Sequence, residues 1–261
     1  MDFELTEEQL MVRDMARRFA ETEIKPKAAE LDEKHEHPAQ IVKQLGELKM
    51  MGIAVPEEYG GGGMDNVSYA VALIEISKAC AGTGAIMSVN NSLYCFPVMA
   101  YGTHEQKMKY LSPVAAGEKT GCYGLTEAGA GSDPAALRTT AVKDGNEWII
   151  NGEKKFITSG NVAALAVIAA VTEKGKGYKG ISSFVLDLEN TPGFKVGHVE
   201  DKLGINASGT AELVFEDARV PADALLGKEG EGFRQMLTTL DGGRIGIASQ
   251  AIGIGRAVLE E

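Results

Sequence analysis

Cysteine is scarce in this 261-residue chain: Cys80, Cys95 and Cys122 are odd in number and never spaced C-x-x-C. That excludes a disulfide framework and a thiolate zinc site, and the three read as reduced, buried thiols. Long apolar runs are also missing. The longest, Val162 to Val171, has ten residues, where a bilayer span needs about 20. Met1-Asp2-Phe3-Glu4 has no charged-then-apolar leader, so the expected address is the cytoplasm. Basic charge is short: 26 Lys+Arg against 37 Asp+Glu leave a net charge of −11, and no basic patch offsets it. Nucleic acid and anionic membranes are therefore excluded as partners. With 44% hydrophobic and 24% charged residues, the chain has a globular composition, long enough for one large domain or two at about 150 residues each. What it has in plenty is glycine, 32 residues or about one in eight against a usual ~7%, and the uses of those glycines organise the reading.

Residues 1–120 read as a helical domain. Thr6-Glu7-Glu8-Gln9 is a capping box, and Met11, Met15 and Phe19 with Val12, Ala16, Ala20 and Ile24 trace an apolar stripe that Pro26 should end. A second helix fits Pro38 to Met51, with Ile41, Leu45 and Leu48 inward and Gly52 past its end. A third fits Val67 to Ala79, with Val71 and Ile74 buried and Lys78 at a wet edge. Thr103-His104-Glu105-Gln106 is another capping box, opening a helix that should stop near Pro113.

Residues 121–230 change grammar and read as a central antiparallel β domain. Thr139 to Lys143, Glu147 to Ile150 and Glu153 to Thr158 are β-type runs separated by Asp144-Gly145 and Asn151-Gly152, two strong hairpin signals, and together they suggest a meander. The apolar run reads either as a buried helix or as a strand, and Lys174 to Gly177 followed by Ile181 to Leu188 favours a further hairpin; a last strand fits Ala211 to Phe215. Residues 231–261 return to a helical period, with Phe233, Leu237, Leu240, Ile247, Ala251, Ile254 and Val258 on one stripe. The pattern stops at Glu261 without a cap, as a cut helix would. The fold class is α+β: helices, a β domain, then the beginning of a C-terminal helical domain.

Several site patterns fail on inspection. Gly129-Ala130-Gly131 would need a glycine at 134 for a dinucleotide fingerprint, and Pro134 stands there. The lipase pattern fails around Ser132, and no Walker sequence is present. His35 and His37 lack a third ligand, so they read as part of a solvated loop and no metal site is assigned. Gly60-Gly61-Gly62-Gly63 reads as a flexible loop between helices.

The stretch Tyr123-Gly124-Leu125-Thr126-Glu127-Ala128-Gly129-Ala130-Gly131-Ser132-Asp133 survives. It is either a turn-rich strand exit or a surface of bare amides and hydroxyls that a planar heterocycle or phosphate could approach, and composition alone divides these evenly. Phe156-Ile157-Thr158, closing a neighbouring strand with an aromatic ring and a hydroxyl, adds weight to the ligand reading.

Gly124-Leu125-Thr126-Glu127-x-x-Ala130-Gly131-Ser132-Asp133-x-x-Ala136 resembles the signature of the acyl-CoA dehydrogenase family. The resemblance continues in Pro56-Glu57-Glu58-Tyr59-Gly60-Gly61, Gly152-x-Lys154-x-Phe156-Ile157-Thr158, Asp201-Lys202-Leu203-Gly204, Phe215-x-Asp217-x-x-Val220-Pro221 and Leu240-Asp241-Gly242-Gly243-Arg244. The last is most similar to the short-chain, butyryl-CoA branch. The resemblance implies FAD against Tyr123 to Ser132 and Phe156 to Thr158, with Thr126 on the flavin's pyrimidine edge and Thr158 near the hydride-accepting nitrogen. It implies acyl-CoA at Ser132 and at Asp241, Gly242, Gly243 and Arg244, and a structural role for the Glu127 carboxylate within the flavin loop.

The implied reaction is α,β-dehydrogenation of an acyl-CoA, with electrons passed to an electron-transfer flavoprotein, in a homotetramer. In most of the family the base is a glutamate of the C-terminal domain. In a minority branch it precedes the helix arginine, where this chain has Gly243. No catalytic base is therefore assigned within these residues, and the chain reads as lacking much of its third domain. Two rivals predict other outcomes: an enoyl-CoA reductase running the reaction backwards, and an acyl-CoA-binding homologue without catalysis.

Overall fold

The computed structural model describes residues 3–261; Met1 and Asp2, half of the stretch read for a leader, lie outside the described residues. The first part of the chain is helical: α1 (Glu7–Phe19), α2 (Lys25–Glu33), α3 (Ala39–Glu47), α4 (Asn66–Ala79), α5 (Ala81–Ser88), α6 (Phe96–Tyr101), α7 (His104–Gln106) and α8 (Ser112–Ala115). Both capping boxes form, with Thr6 and Thr103 accepting from the backbone of Gln9 and Gln106 while those side chains accept from the two threonine N–H groups.

Pro26 does not end its helix, whereas the helix opened at Thr103 runs through Pro113 and stops two residues on, at Ala115, near its expected end. Each proline follows a wider π turn, Ala20–Ile24 and Lys107–Leu111, as Pro97 does after Val89–Cys95. Each then stands in the first turn of the next α segment. The extra residue in the π turn moves the ring off the carbonyl it would otherwise strike, at a position where no N–H is missed.

Burial also differs from the expected stripes. Val12, Ala16, Ala20 and Ile24 are buried, whereas Met11 is 67% exposed. Helix α3 stops four residues before Met51 because Lys49 turns left-handed at φ +62; Gly52 lies within the 3-10 turn Met50–Gly52 that follows. In α4 the core takes Tyr69, Ala72, Leu73 and Ile76, and Val71 and Ile74 are only half-buried, since two long helices pack on this one. The Gly60–Gly63 run is packed, not loose. The N–H groups of Gly62 and Gly63 donate to the Gly52 and Val55 carbonyls at 2.9 and 2.8 Å, and a Cβ on Gly61 would overlap the Val55 oxygen.

Eight strands form one sheet: β1 (Gly121–Gly124), β2 (Thr140–Asp144), β3 (Glu147–Thr158), β4 (Leu165–Val171), β5 (Ile181–Asp187), β6 (Phe194–Val199), β7 (Thr210–Pro221) and β8 (Leu225–Leu226). The order is β6-β7-β3-β2-β4-β5-β8, with β1 against β4. Pairing is mainly antiparallel, but this is not a meander: β1 and β2 meet β4 in parallel, and β3 pairs with the distant β7. Strand β7 runs well beyond Ala211 to Phe215.

The Asp144-Gly145 hairpin forms, with Gly145 at φ +60. Asn151-Gly152 is no turn; β3 runs through it with an irregular register. Gly152 at φ +145 makes room for Thr139, and the Asn151 amide exchanges hydrogen bonds of 3.0 and 2.8 Å with Asp217. Strand β4 is buried on both faces, which is why its sequence shows no alternation. Leu165, Val167 and Ala169 face Tyr94, Tyr123 and Met236. Ala166, Ile168 and Ala170 join Trp148 and Phe184.

Helix α9 (Gly232–Glu260) returns across the helical part. Its buried face is only in part the apolar stripe, of which Phe233 and Leu240 pack on the core. Met236, Thr239, Gly243, Gly246, Ser249 and Gly253 face inward, while Leu237, Ile247 and Val258 are exposed at 38%, 56% and 72%. The glycines admit close packing: a Cβ on Gly246 would overlap the Tyr69 hydroxyl, and one on Gly253 the Ile74 carbonyl. Among the described residues no helix is long and apolar enough to cross a membrane.

Candidate functional site

Four elements meet around a cavity of about 430 Å3, a size ordinary for a small-molecule site. The loop after β1 supplies Thr126, Gly131 and Ser132, the end of β3 supplies Phe156, Ile157 and Thr158, the helix before α6 supplies Val89 and Leu93, and α9 supplies Leu237, Leu240 and Arg244.

A bulge in β3 brings its last residues into place. Lys154 pairs with Leu213 and Ile157 with Ala211, so Lys155 and Phe156 together oppose Glu212 and the strand bends there. Phe156 adopts φ +58 with its ring 64% exposed, and Ser159 adopts φ +62. Left-handed conformations at non-glycine residues are costly and gather where function requires them. Released from β7, the Lys155 N–H donates to the Thr126 carbonyl at 2.9 Å, tying the bulge to the loop.

The cavity wall suits a flat, polar-edged ligand. The hydroxyls of Thr126, Ser132 and Thr158 have no hydrogen bond within the described chain. The buried Ser159 hydroxyl, one residue on, is likewise without a partner. A Cβ at Gly129 or Gly131 would meet nothing within 4 Å, so the loop's outer edge is open. These observations fit the flavin that the motifs imply.

Not every expected site residue lines this space. Tyr123 lines it with its ring while its hydroxyl donates to the Met236 carbonyl at 3.1 Å, and burial raises its pKa. Leu125 is a buried part of the wall. Gly124 is packed on Ile168 within the sheet, and Ala128 and Gly129 form an exposed turn closed by the Glu127–Ala130 bridge. Along α9 the four expected substrate residues diverge. Asp241 is exposed and paired with Arg244, Gly242 lines a separate apolar cavity of about 140 Å3, Gly243 packs on Leu93, and Arg244 reaches the main cavity.

Glu127 is committed elsewhere. Its carboxylate accepts from Lys154 Nζ at 2.7 Å and from the backbone N–H groups of Arg138 and Thr139 at 2.6 and 3.1 Å. Burial works to raise its pKa, but the Lys154 charge and these hydrogen bonds prevail and hold it below the ordinary carboxylate value. Burial brings the Lys154 ammonium down to about 8 against the pull of Glu127. Sequence reasoning gave Lys154 no role, yet a signal was present. Trp148, Ile150, Gly152 and Lys154 share one face of β3 by alternation, which points the lysine inward. Val89 and Leu93 carried no such mark, whereas Leu240 opens the motif that ends at Arg244. Among the described residues no group of three His, Cys, Asp or Glu side chains is placed to hold a metal.

Residues 6–118 match the family model for the acyl-CoA dehydrogenase N-terminal domain and residues 122–218 that for the acyl-CoA dehydrogenase middle domain. The chain belongs to the acyl-CoA dehydrogenase family, a family of flavoprotein oxidoreductases. It is 53% identical over 261 residues, its whole length, to a short-chain specific acyl-CoA dehydrogenase of Clostridium acetobutylicum, of which it spans 69%. Among solved structures it is similar to butyryl-CoA dehydrogenase from Megasphaera elsdenii, with a TM-score of 0.96 at 42% identity over 100% of this chain and 69% of that one. It is also similar to a glutaryl-CoA dehydrogenase from Mycobacterium smegmatis in complex with FADH2, with a TM-score of 0.90 at 37% identity over 98% and 64% of the two chains.

Proposed function

We propose that this chain carries the FAD- and acyl-thioester-binding part of a short-chain acyl-CoA dehydrogenase. Its parts would be a helical domain over residues 1–120, a β domain over 121–230 and the opening of a helical domain over 231–261. The observation that supports this most directly is the convergence of three unengaged hydroxyls, a bulged aromatic residue and Arg244 on one cavity. The loop 123–132 and Phe156 to Thr158 would hold FAD, which would supply a hydride acceptor for the β-hydrogen. The chain's own residues then have separable tasks. Thr126 and Thr158 place fixed donors where negative charge builds, a stabilisation that is largest in a dry site. Phe156 covers one face of the site and keeps water out. Ser132 orients the thioester end, and Val89, Leu93 and Leu240 give a short acyl chain an apolar wall. Arg244, steadied by Asp241, meets the ligand from α9.

Among the described residues no carboxylate lines the cavity, and Glu127 is held by Lys154 and two backbone donors. The base that removes the α-proton must reach it directly, and following the family resemblance we assign it to a glutamate of the C-terminal domain, not to Glu127. Reoxidation by an electron-transfer flavoprotein and assembly as a homotetramer complete the proposal.

The test is titration of the purified chain with FAD. Weak binding is expected, because the family's third domain also clasps the flavin, and Thr158→Ala or Ser132→Ala should weaken it by about a further 5–10-fold, the loss of one hydrogen bond, without moving the unfolding midpoint. Absence of binding, or equal loss of folding and affinity, would overturn the reading. Oxidation of butyryl-CoA by this chain alone at a normal rate would show that the base assignment is wrong.

A further inference from the structure

Lys154 is a fully buried lysine, and neither the packing of β3 nor the chemistry proposed above calls for a charge at that point. Its side chain is 0% exposed and, among the described residues, its one charged partner is Glu127, 9% exposed. A pair of this kind contributes little net stability compared with well-packed apolar residues of the same volume, because both ions lose their hydration. What distinguishes it is where it reaches. Lys154 precedes the bulge, and its Nζ donates to Glu127 at 2.7 Å and to the Leu125 carbonyl at 3.4 Å. The carboxylate, at the start of the loop, takes the N–H groups of Arg138 and Thr139, at its end. One carboxylate thus closes the ten residues 128–137 at their base, and the lysine fixes that base against the strand that carries Phe156 and Thr158. Directional bonds at both ends specify a geometry that apolar contacts, indifferent to orientation, do not.

We propose that Glu127 and Lys154 are positioning residues that hold the 125–132 loop and the Phe156–Ser159 bulge at a fixed separation, so that the cavity keeps the shape its flat ligand requires. The inference rests on reading that cavity as a flavin site. The pair touches no ligand itself and acts through Thr126, Ser132 and Thr158. Its loss should therefore loosen two segments far more than it unfolds the molecule.

The single variant Lys154→Met leaves a buried carboxylate uncompensated and can fail to fold. The informative variants are the neutral pairs Glu127→Leu/Lys154→Met and Glu127→Gln/Lys154→Met, examined by amide hydrogen exchange and by FAD titration of the 261-residue chain. In the Leu/Met pair, exchange of residues 128–137 is expected to accelerate at least tenfold while the β4–β5 hairpin is unchanged, and FAD should bind at least tenfold more weakly. The Gln/Met pair, which keeps a carbonyl acceptor for the backbone N–H groups, should recover part of the loop's protection. Unchanged exchange in 128–137 overturns the positioning role, as does faster exchange with unaltered FAD affinity. If the parent chain binds no FAD, the flavin reading fails, and the exchange measurement still decides whether the pair sets the loop.

Discussion

The run Gly60-Gly61-Gly62-Gly63 and the turn around Gly129 and Gly131 are both nearly bare of side chains, yet their surroundings are opposite. A Cβ on Gly61 would run into the Val55 carbonyl, whereas one on Gly129 or Gly131 would meet nothing within 4 Å. The first segment needs glycine because the protein itself fills the space. The second keeps glycine where the protein leaves space beside unengaged hydroxyls. Glycine at a packed turn is a requirement of folding, and glycine at an open rim is free to serve a ligand. The two segments are also held differently. Backbone hydrogen bonds, with the Lys49 ammonium on the Gly60 carbonyl, fix the first, and the buried Glu127–Lys154 pair fixes the base of the second.

Substitutions can break this comparison, beginning with the packed run. Gly61→Ala should cost about 3 kcal/mol, the upper end for forcing atoms into a filled site, read as a lowered denaturant midpoint; a loss under about 1 kcal/mol would mean the turn yields and the contrast is overstated. Acid should separate the two segments next. The folded pKa of Glu127 is depressed, so its contribution is present above the ordinary carboxylate value and is lost as pH falls through the folded one. Protease cleavage within 128–137 should rise over that interval while Gly60–Gly63 stays protected, and parallel loss at both would show that the whole fold is opening.

Phe156→Gly should relieve the left-handed strain at φ +58 and stabilise the chain by about 1 kcal/mol while weakening FAD binding. Measuring both together checks whether strain and affinity are linked at the bulge. The smallest expected effect is that of Gly129→Ala, within about 0.5 kcal/mol of the parent in stability. A larger drop would place Gly129 with the packed glycines.

Much of the architecture could be read from local patterns. Capping boxes at Thr6 and Thr103, the Asp144-Gly145 hairpin and the two-strand unit of β4 and β5 are set by neighbours in sequence, and they appear where local chemistry puts them. Misreadings arose where a distant element decides. Asn151-Gly152 is straightened because β7 binds the Asn151 side chain through Asp217. Pro26 is tolerated because a π turn precedes it, a choice not visible in the proline itself. The burial of α9 is partly inverted because α4 and α5 meet its small residues, so glycine and serine outrank isoleucine as its inward face. At the site, the loop and the Phe156-Ile157-Thr158 end were visible as motifs. The apolar residues of the helical wall were not, since one leucine in a helix looks much like another until the tertiary fold aims it.

The scarcity of sulfur has a practical consequence. All three thiols are buried, and burial raises the pKa of Cys122 to about 12 and that of Cys95 further, so at neutral pH those two offer reagents almost no thiolate, while burial alone shields Cys80. A cysteine introduced at exposed Ser132 would be the one exposed thiol among the described residues. An environment-sensitive dye attached there would sit on the rim of the cavity and turn occupancy into an optical signal, without any native cysteine having to be removed first.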